Sequence, residues 1–190
     1  MNKAINFSVK NLCIAAVLTA LCCVLAPMSV PIGPVPISLG TFCIFLTAAI
    51  LPWKLSVLST IVYILIGAVG LPVFSGFKGG IQVLAGPTGG YIVAYPFMAL
   101  IISLIIRSFI KKGAVYHIIA MIVSMILALA FCYLLGTAWF VISMGSTVSA
   151  ALSACVIPFI WADLLKIAAA AFLGFSVTKA LNRAGLGAVS

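Results

Sequence analysis

Acidic side chains are nearly missing from this sequence. Of 190 residues, one is acidic (Asp163), against ten Lys/Arg and a single His. Charged residues make up 6% of the chain, where a soluble domain carries about a quarter. That excludes a soluble globular protein. Disorder is excluded as well, because 66% of the residues are apolar and disorder needs low hydrophobicity. One acid and one His leave no ligand set for metal catalysis and no proton relay. The phosphate loop G-x-x-x-x-G-K-S/T is absent, so ATP hydrolysis of that type is not expected in this chain. An intramembrane serine protease needs a Ser and a His at one depth, and neither Ser146 nor Ser176 has such a partner. A retinal-type Schiff base at Lys166 fits poorly with one acid and six spans. The six cysteines form no C-x-x-C pair and fall in apolar stretches, so they read as small buried residues rather than a disulfide or zinc framework.

What is present is long, continuous apolar sequence. Spanning helices take roughly 20 residues each, so the chain has room for about six. Alternation is missing, which argues against a β-barrel. Breakers place the spans near 11–28, 39–51, 55–70, 89–110, 115–142 and 150–180. The reading is an all-α integral membrane protein, a single six-helix domain over 1–190. Lys3 and Lys10 ahead of Leu12 to Ala26 also resemble a signal peptide, but no small-x-small cleavage site precedes a polar domain, and a first span is the better reading. No internal repeat, direct or inverted, is visible.

Two connections are unusual. Ser29 to Leu39 holds Pro31, Pro34 and Pro36, which forbid a helix and favour extended chain. Gly70 to Gly90 holds seven glycines plus Pro72 and Pro87. Irregular backbone at a membrane survives where protein buries it or where it lines a cavity, so this stretch is a candidate binding loop. With the N-terminus inside, Lys3, Lys10, Lys54, Arg107, Lys111, Lys112, Lys179 and Arg183 lie on the inner side and only Lys78 on the outer. That bias places both termini in the cytoplasm. Trp53, Tyr95, Tyr116 and Trp139 stand near span ends, as in an aromatic belt. His117, at a span start, reads as a satisfied interfacial side chain.

Asp163 and Lys166 are the strongest single signal. A charge at mid-membrane costs about 2.5–3.5 kcal/mol, and a spacing of three puts both groups on one helix face. They form either a self-satisfied ion pair or the polar corner of an outward-facing pocket. An aspartate accepts from N–H donors and a lysine attracts a carboxylate, which suits a small ligand carrying both. Pro158 loosens the helix just before them. Phe159 and Trp161 either wall the pocket or face lipid. Ala16 and Ala20 form a small-xxx-small pair on the first span, for internal packing or for an external helix.

The blocks Gly67–Ala68–Val69–Gly70–Leu71–Pro72–Val73–Phe74 and Gly86–Pro87–Thr88–Gly89–Gly90–Tyr91, with Gly33–Pro34–Val35–Pro36–Ile37–Ser38–Leu39 before them and Asp163–Leu164–Leu165–Lys166 after, resemble the BioY family. These are the biotin-specific membrane subunits (S components) of energy-coupling factor (ECF) transporters. The resemblance spans essentially the whole chain. It implies a multi-pass capture subunit of a bacterial plasma membrane that takes biotin from outside. The implied partners are a transmembrane coupling protein and two cytoplasmic ATPases, with no cofactor and no enzymatic step in this chain. By the family pattern Asp163 and Lys166 contact substrate, as does the glycine loop, which here offers Lys78. Tyr91, Phe74 and Phe159 then serve as apolar walls, and Val30 to Leu39 as a lid. Small first-helix residues, here Ala16 and Ala20, meet the coupling protein in this transporter class. The chain departs from the family pattern at Gly40, where Gln is common, at Ala162, where Gly is common, and at Phe77–Lys78. The alternatives are an autonomous facilitator or secondary transporter without ATPases, and a scaffolding subunit with no ligand.

Overall fold

The computed structural model describes residues 8–31, 35–109 and 113–186. Lys3, Gly33, Pro34, Lys111 and Lys112 lie outside them. The chain is helical, with one short β-hairpin. The helices are α1 (Val9–Leu25), α2 (Gly40–Ile50), α3 (Trp53–Ala68), α4 (Ile81–Ala85), α5 (Gly89–Phe109), α6 (Ala114–Met144), α7 (Val148–Cys155) and α8 (Ile160–Arg183). By length and composition α5, α6 and α8 can each cross a membrane, while α1, α2 and α3 are shorter apolar helices.

Prolines set several boundaries. α1 ends at Leu25, with Ala26 still in helical conformation and donating to Cys22 O ahead of Pro27, and Pro52 stands at the N-cap of α3. The described arms of the proline-rich connection are extended: β1 (Ser29–Val30) pairs antiparallel with β2 (Ile37–Ser38). Pro31 and Pro36 flank the strands, where their missing N–H costs no ladder bond. The stretch near 150–180 is two helices, not one continuous span. α7 ends at Cys155 and α8 begins at Ile160, with Pro158 in the break, because proline removes a helical donor and clashes with the preceding turn.

α2 is the centre of the bundle. Nine of its eleven residues are buried, as expected of a helix that is apolar all round, and it packs against α1, α3, α5 and α8. The most extensive helix pair is α5 with α6. Missing side chains make its close approach possible: a Cβ on Gly90 would overlap Trp139, and one on Gly136 would overlap the Tyr91 ring.

The two ends of the bundle differ. At one end, Lys10 Nζ donates to Gly185 O, and Leu181 packs against the buried cluster that holds Ala15, Leu18, Leu51 and Leu55. The start of α1, the α2–α3 corner and the end of α8 therefore meet there. At the other end the glycine-rich loop folds back on the bundle. Gly76 N–H donates to Pro27 O at 3.0 Å, Gly80 N–H to Gly67 O at 2.7 Å, and Phe74 pairs with Lys78 in a tight turn. Gly76 and Gly80 sit at φ +73° and +97°, angles that a side chain strains. The loop is thus held by backbone bonds, which explains how irregular chain persists beside apolar helices.

Candidate functional site

The cavity is assembled at the loop end, around the sole acid. Asp163 lies in the first turn of α8 and is 3% exposed. Lys166 Nζ meets its Oδ1 at 2.8 Å, one turn along the same face. Thr41 Oγ1, from the start of α2, donates to Oδ1 at 3.2 Å, and Tyr133 Oη, from α6, donates to Oδ2 at 2.5 Å. Lys166 Nζ also donates to Thr41 Oγ1 at 3.3 Å. Two hydroxyl donors and the Lys166 ammonium offset the desolvation of the buried charge.

These groups line a cavity of about 380 Å³, within the ~300–1,000 Å³ usual for small-molecule sites. Six residues singled out from the sequence, Asp163, Lys166, Lys78, Tyr91, Phe74 and Phe159, all line it. Phe74 is 1% exposed. Its ring stands edge-on to Tyr63, centroids 5.8 Å apart, in space left by Gly67, where a Cβ would overlap it. Tyr63 Oη donates to Val73 O at 2.9 Å, fixing the Leu-Pro-Val-Phe turn. Tyr91 reaches the cavity because Gly89 and Gly90 let α5 begin close against Leu84 and Trp139. Trp139 Nε1 holds Gly86 O at 3.0 Å.

Other residues fall elsewhere. Phe159 is buried on the cavity wall, whereas Trp161 is 77% exposed and faces away. Tyr95 is not part of an interfacial belt: it is buried against Tyr63 and lines the cavity. Ala16 and Ala20 lie on the exposed side of α1, whose buried face is Ala15, Leu18, Thr19 and Cys22. Four cysteines are buried, but Cys13 is exposed. His117 is buried, and its Nε2 has no hydrogen-bond partner among the described residues, unlike the satisfied interfacial side chain expected from its position.

The sequence reading did not nominate Thr41, Tyr133 or Ser75. Tyr133 carried a usable signal, since a phenol in mid-helix must find a partner when buried. Ser75 lines the cavity, and its buried Oγ has no hydrogen-bond partner among the described residues.

Fold and site together define a membrane-embedded helical bundle built around a small-molecule cavity. The sequence model of the BioY family matches residues 1–183, and the chain belongs to the BioY family. It is 38% identical over 171 residues to the biotin transporter BioY of Thermotoga maritima, covering 90% of this chain and 96% of that protein. It is 37% identical over 164 residues to the probable biotin transporter BioY of Pyrococcus horikoshii, covering 86% and 93%. Its structure matches a crystal structure of the S-component for biotin from an ECF-type ABC transporter, with a TM-score of 0.84 and 26% identity. That match covers 90% of this chain and 92% of the other.

Proposed function

We propose that this chain is a biotin-capture subunit and that biotin is held in the cavity around Asp163. The observation that carries the reading is the unused hydrogen-bonding capacity of the network. A carboxylate has about four acceptor positions. Lys166 and Thr41 take both on Oδ1, and Tyr133 takes one on Oδ2. An ammonium has three donors, and Asp163 and Thr41 use two. One acceptor on Asp163 Oδ2 and one donor on Lys166 Nζ remain within the same ion pair. A ureido ring offers an N–H beside a carbonyl, the matching pair. Asp163 Oδ2 accepts from the ureido N–H, and the last Lys166 N–H donates to the carbonyl. Lys78 is left for the carboxylate tail. Phe74, Tyr91 and Phe159 cover the ring system, and the β1–β2 hairpin, which contributes Val35, Pro36 and Ser38 to the lining, closes over it. The names of the Thermotoga and Pyrococcus relatives support the same ligand.

The finer reading is a single domain with six spans and both termini in the cytoplasm. Lys10, Lys54, Lys179 and Arg183 are at starts or ends of helices that converge at the end away from the cavity, which supports an inward basic face and an outward cavity. ATP-driven import then falls to a coupling protein and two ATPases, docked on the exposed Ala16–Ala20 side of α1, and this chain performs no chemistry itself.

Calorimetric titration of the purified chain with biotin tests the reading, beside Asp163→Asn and Lys166→Ala. Tight 1:1 binding that both substitutions abolish is the expected result. A folded wild-type chain that binds no biotin overturns it.

A further inference from the structure

The end of the bundle away from Asp163 holds a second recess, of about 510 Å³, between the start of α6 and the end of α8. Asp163 and Arg183 lie ~30 Å apart along α8 at 1.5 Å per residue, so the two cavities are separate. Two polar side chains are buried in the wall of this recess: His117 is 8% exposed and Thr178 5%. Neither His117 Nε2 nor Thr178 Oγ1 has a hydrogen-bond partner among the described residues. Nearly all buried polar atoms in folded proteins are paired. Two unpaired polar atoms in the wall of one recess leave hydrogen-bonding capacity there that a polar ligand can take up. The Phe175 ring, centroid 5.8 Å from the imidazole, backs His117 on an apolar side.

The surroundings select the sign of that ligand. Lys179, Asn182 and Arg183 also line the recess, and no acid is near, since the chain's sole acid is Asp163 at the far end. α6 starts at the recess with no acid in its first turn, and its N-cap Gly113 offers no side-chain cap. The positive end of its dipole favours an anion there. The carbonyls that end α8 are occupied instead of repelling one. Gly185 N–H donates to Asn182 O and Leu186 N–H to Leu181 O, the paired bonds of a Schellman turn, and Lys10 Nζ covers Gly185 O.

We propose that this recess binds a phosphoryl group, carried by an anionic phospholipid in the leaflet at that end of the bundle. Arg183 presents a guanidinium fork suited to phosphate oxygens, Lys179 adds a point charge, and His117 Nε2–H and Thr178 Oγ–H supply the inner donors. The lipid source is favoured over free phosphate by the flanking surface. Val115, Tyr116 and Phe172 are 68%, 58% and 73% exposed, so acyl chains attached to a seated headgroup would lie on apolar side chains of α6 and α8. Basic recesses between spanning helices are suited to such headgroups.

The test is native mass spectrometry of the full chain in detergent, titrated with phosphatidylglycerol, with phosphatidylcholine, and with inorganic phosphate. The expected result is one retained phosphatidylglycerol, with phosphatidylcholine lost at the same collision energy. Lys179→Gln with Arg183→Gln weakens that binding about thirtyfold. Thr178→Val, nearly equal in shape, weakens it severalfold while the thermal midpoint in phosphatidylcholine micelles stays unchanged. Inorganic phosphate that competes as well as the lipid keeps the phosphoryl site and reassigns its source to a soluble anion. Equal retention of the two lipids, or phosphatidylglycerol binding undiminished in both variants, overturns the proposal.

Discussion

Tyr133 donates its phenol to Asp163 Oδ2 at 2.5 Å, joining the middle of α6 to the first turn of α8. Thr41 reaches the other oxygen from α2. One carboxylate thus ties three helices together at the base of the cavity. The buried charge is both a structural clasp and the proposed recognition group, and substitutions can separate the two roles.

Tyr133→Phe removes one donor and keeps the ring. A hydrogen bond to a charged group is worth about 1.5–3 kcal/mol, so the ligand-free protein loses roughly that much stability. Biotin affinity falls about tenfold, because Oδ2 is no longer oriented. Thermal unfolding and calorimetry on one preparation measure both. A variant matching wild type in both would remove Tyr133 from the network.

Asp163→Asn leaves Lys166 with its ammonium facing Thr41 and no counter-ion, and breaking one side of a buried pair costs on the order of 3–5 kcal/mol. Adding Lys166→Gln removes the stranded charge. The double variant is therefore more stable than the single one, yet it binds no biotin. Unfolding midpoints that fall additively would mean that the two side chains do not act as a pair.

Much of this site was legible in the sequence, and the physical reasons are specific. Asp163 and Lys166 stood out because charges are costly in a span and a spacing of three forces them together. Phe74 and Tyr91 were named through the resemblance of the blocks that end in them to the BioY family, and the structure supplies the packing reason for the glycines. Gly67 makes room for the Phe74 ring, and Gly136 for the Tyr91 ring. Thr41, Tyr133 and Ser75 were not legible as partners. Thr41 and Tyr133 reach Asp163 only through contacts 122 and 30 residues apart in sequence. No local pattern encodes such pairing. The break between α7 and α8 was half legible: Pro158 promised a loosened helix, whereas the burial of Phe159 in one cluster with Val35 and Phe140 has no local signal.

Ser75→Ala deletes an orphan hydroxyl. Without ligand the change costs nothing and relieves an unpaired buried group, so the unfolding midpoint holds or rises. With ligand, one lost hydrogen bond of ~0.5–1.5 kcal/mol lowers biotin affinity about three- to tenfold. Unchanged affinity with raised stability would leave Ser75 outside the contact surface.

Gly67→Ala places a methyl group where the Phe74 ring now sits. Overpacking of this kind costs typically 1–3 kcal/mol, and the strain is relieved by moving the ring and the loop that carries it. Biotin binding weakens while circular dichroism still reports the full helix content. Phe74→Leu in the same chain restores much of the lost stability, a coupling expected only of residues in contact. Additive losses would place the damage elsewhere in α3.

Ala16→Leu with Ala20→Leu tests the exposed face of α1 without touching the cavity. Both positions point away from the buried Ala15, Leu18, Thr19 and Cys22. A surface change of this kind alters stability by no more than about 0.5 kcal/mol, so the isolated variant keeps its unfolding midpoint and its biotin affinity. Small side chains matter at such a face only when another helix backbone approaches closely, and two leucines hold that helix away. Co-expressed with a coupling protein and its ATPases, the variant therefore fails to bring them down on affinity purification, where wild type succeeds. A complex retained in full would make this stripe a lipid-facing surface and move the partner interface to another helix. Loss of biotin binding in the isolated variant would instead show that the face supports the cavity from behind.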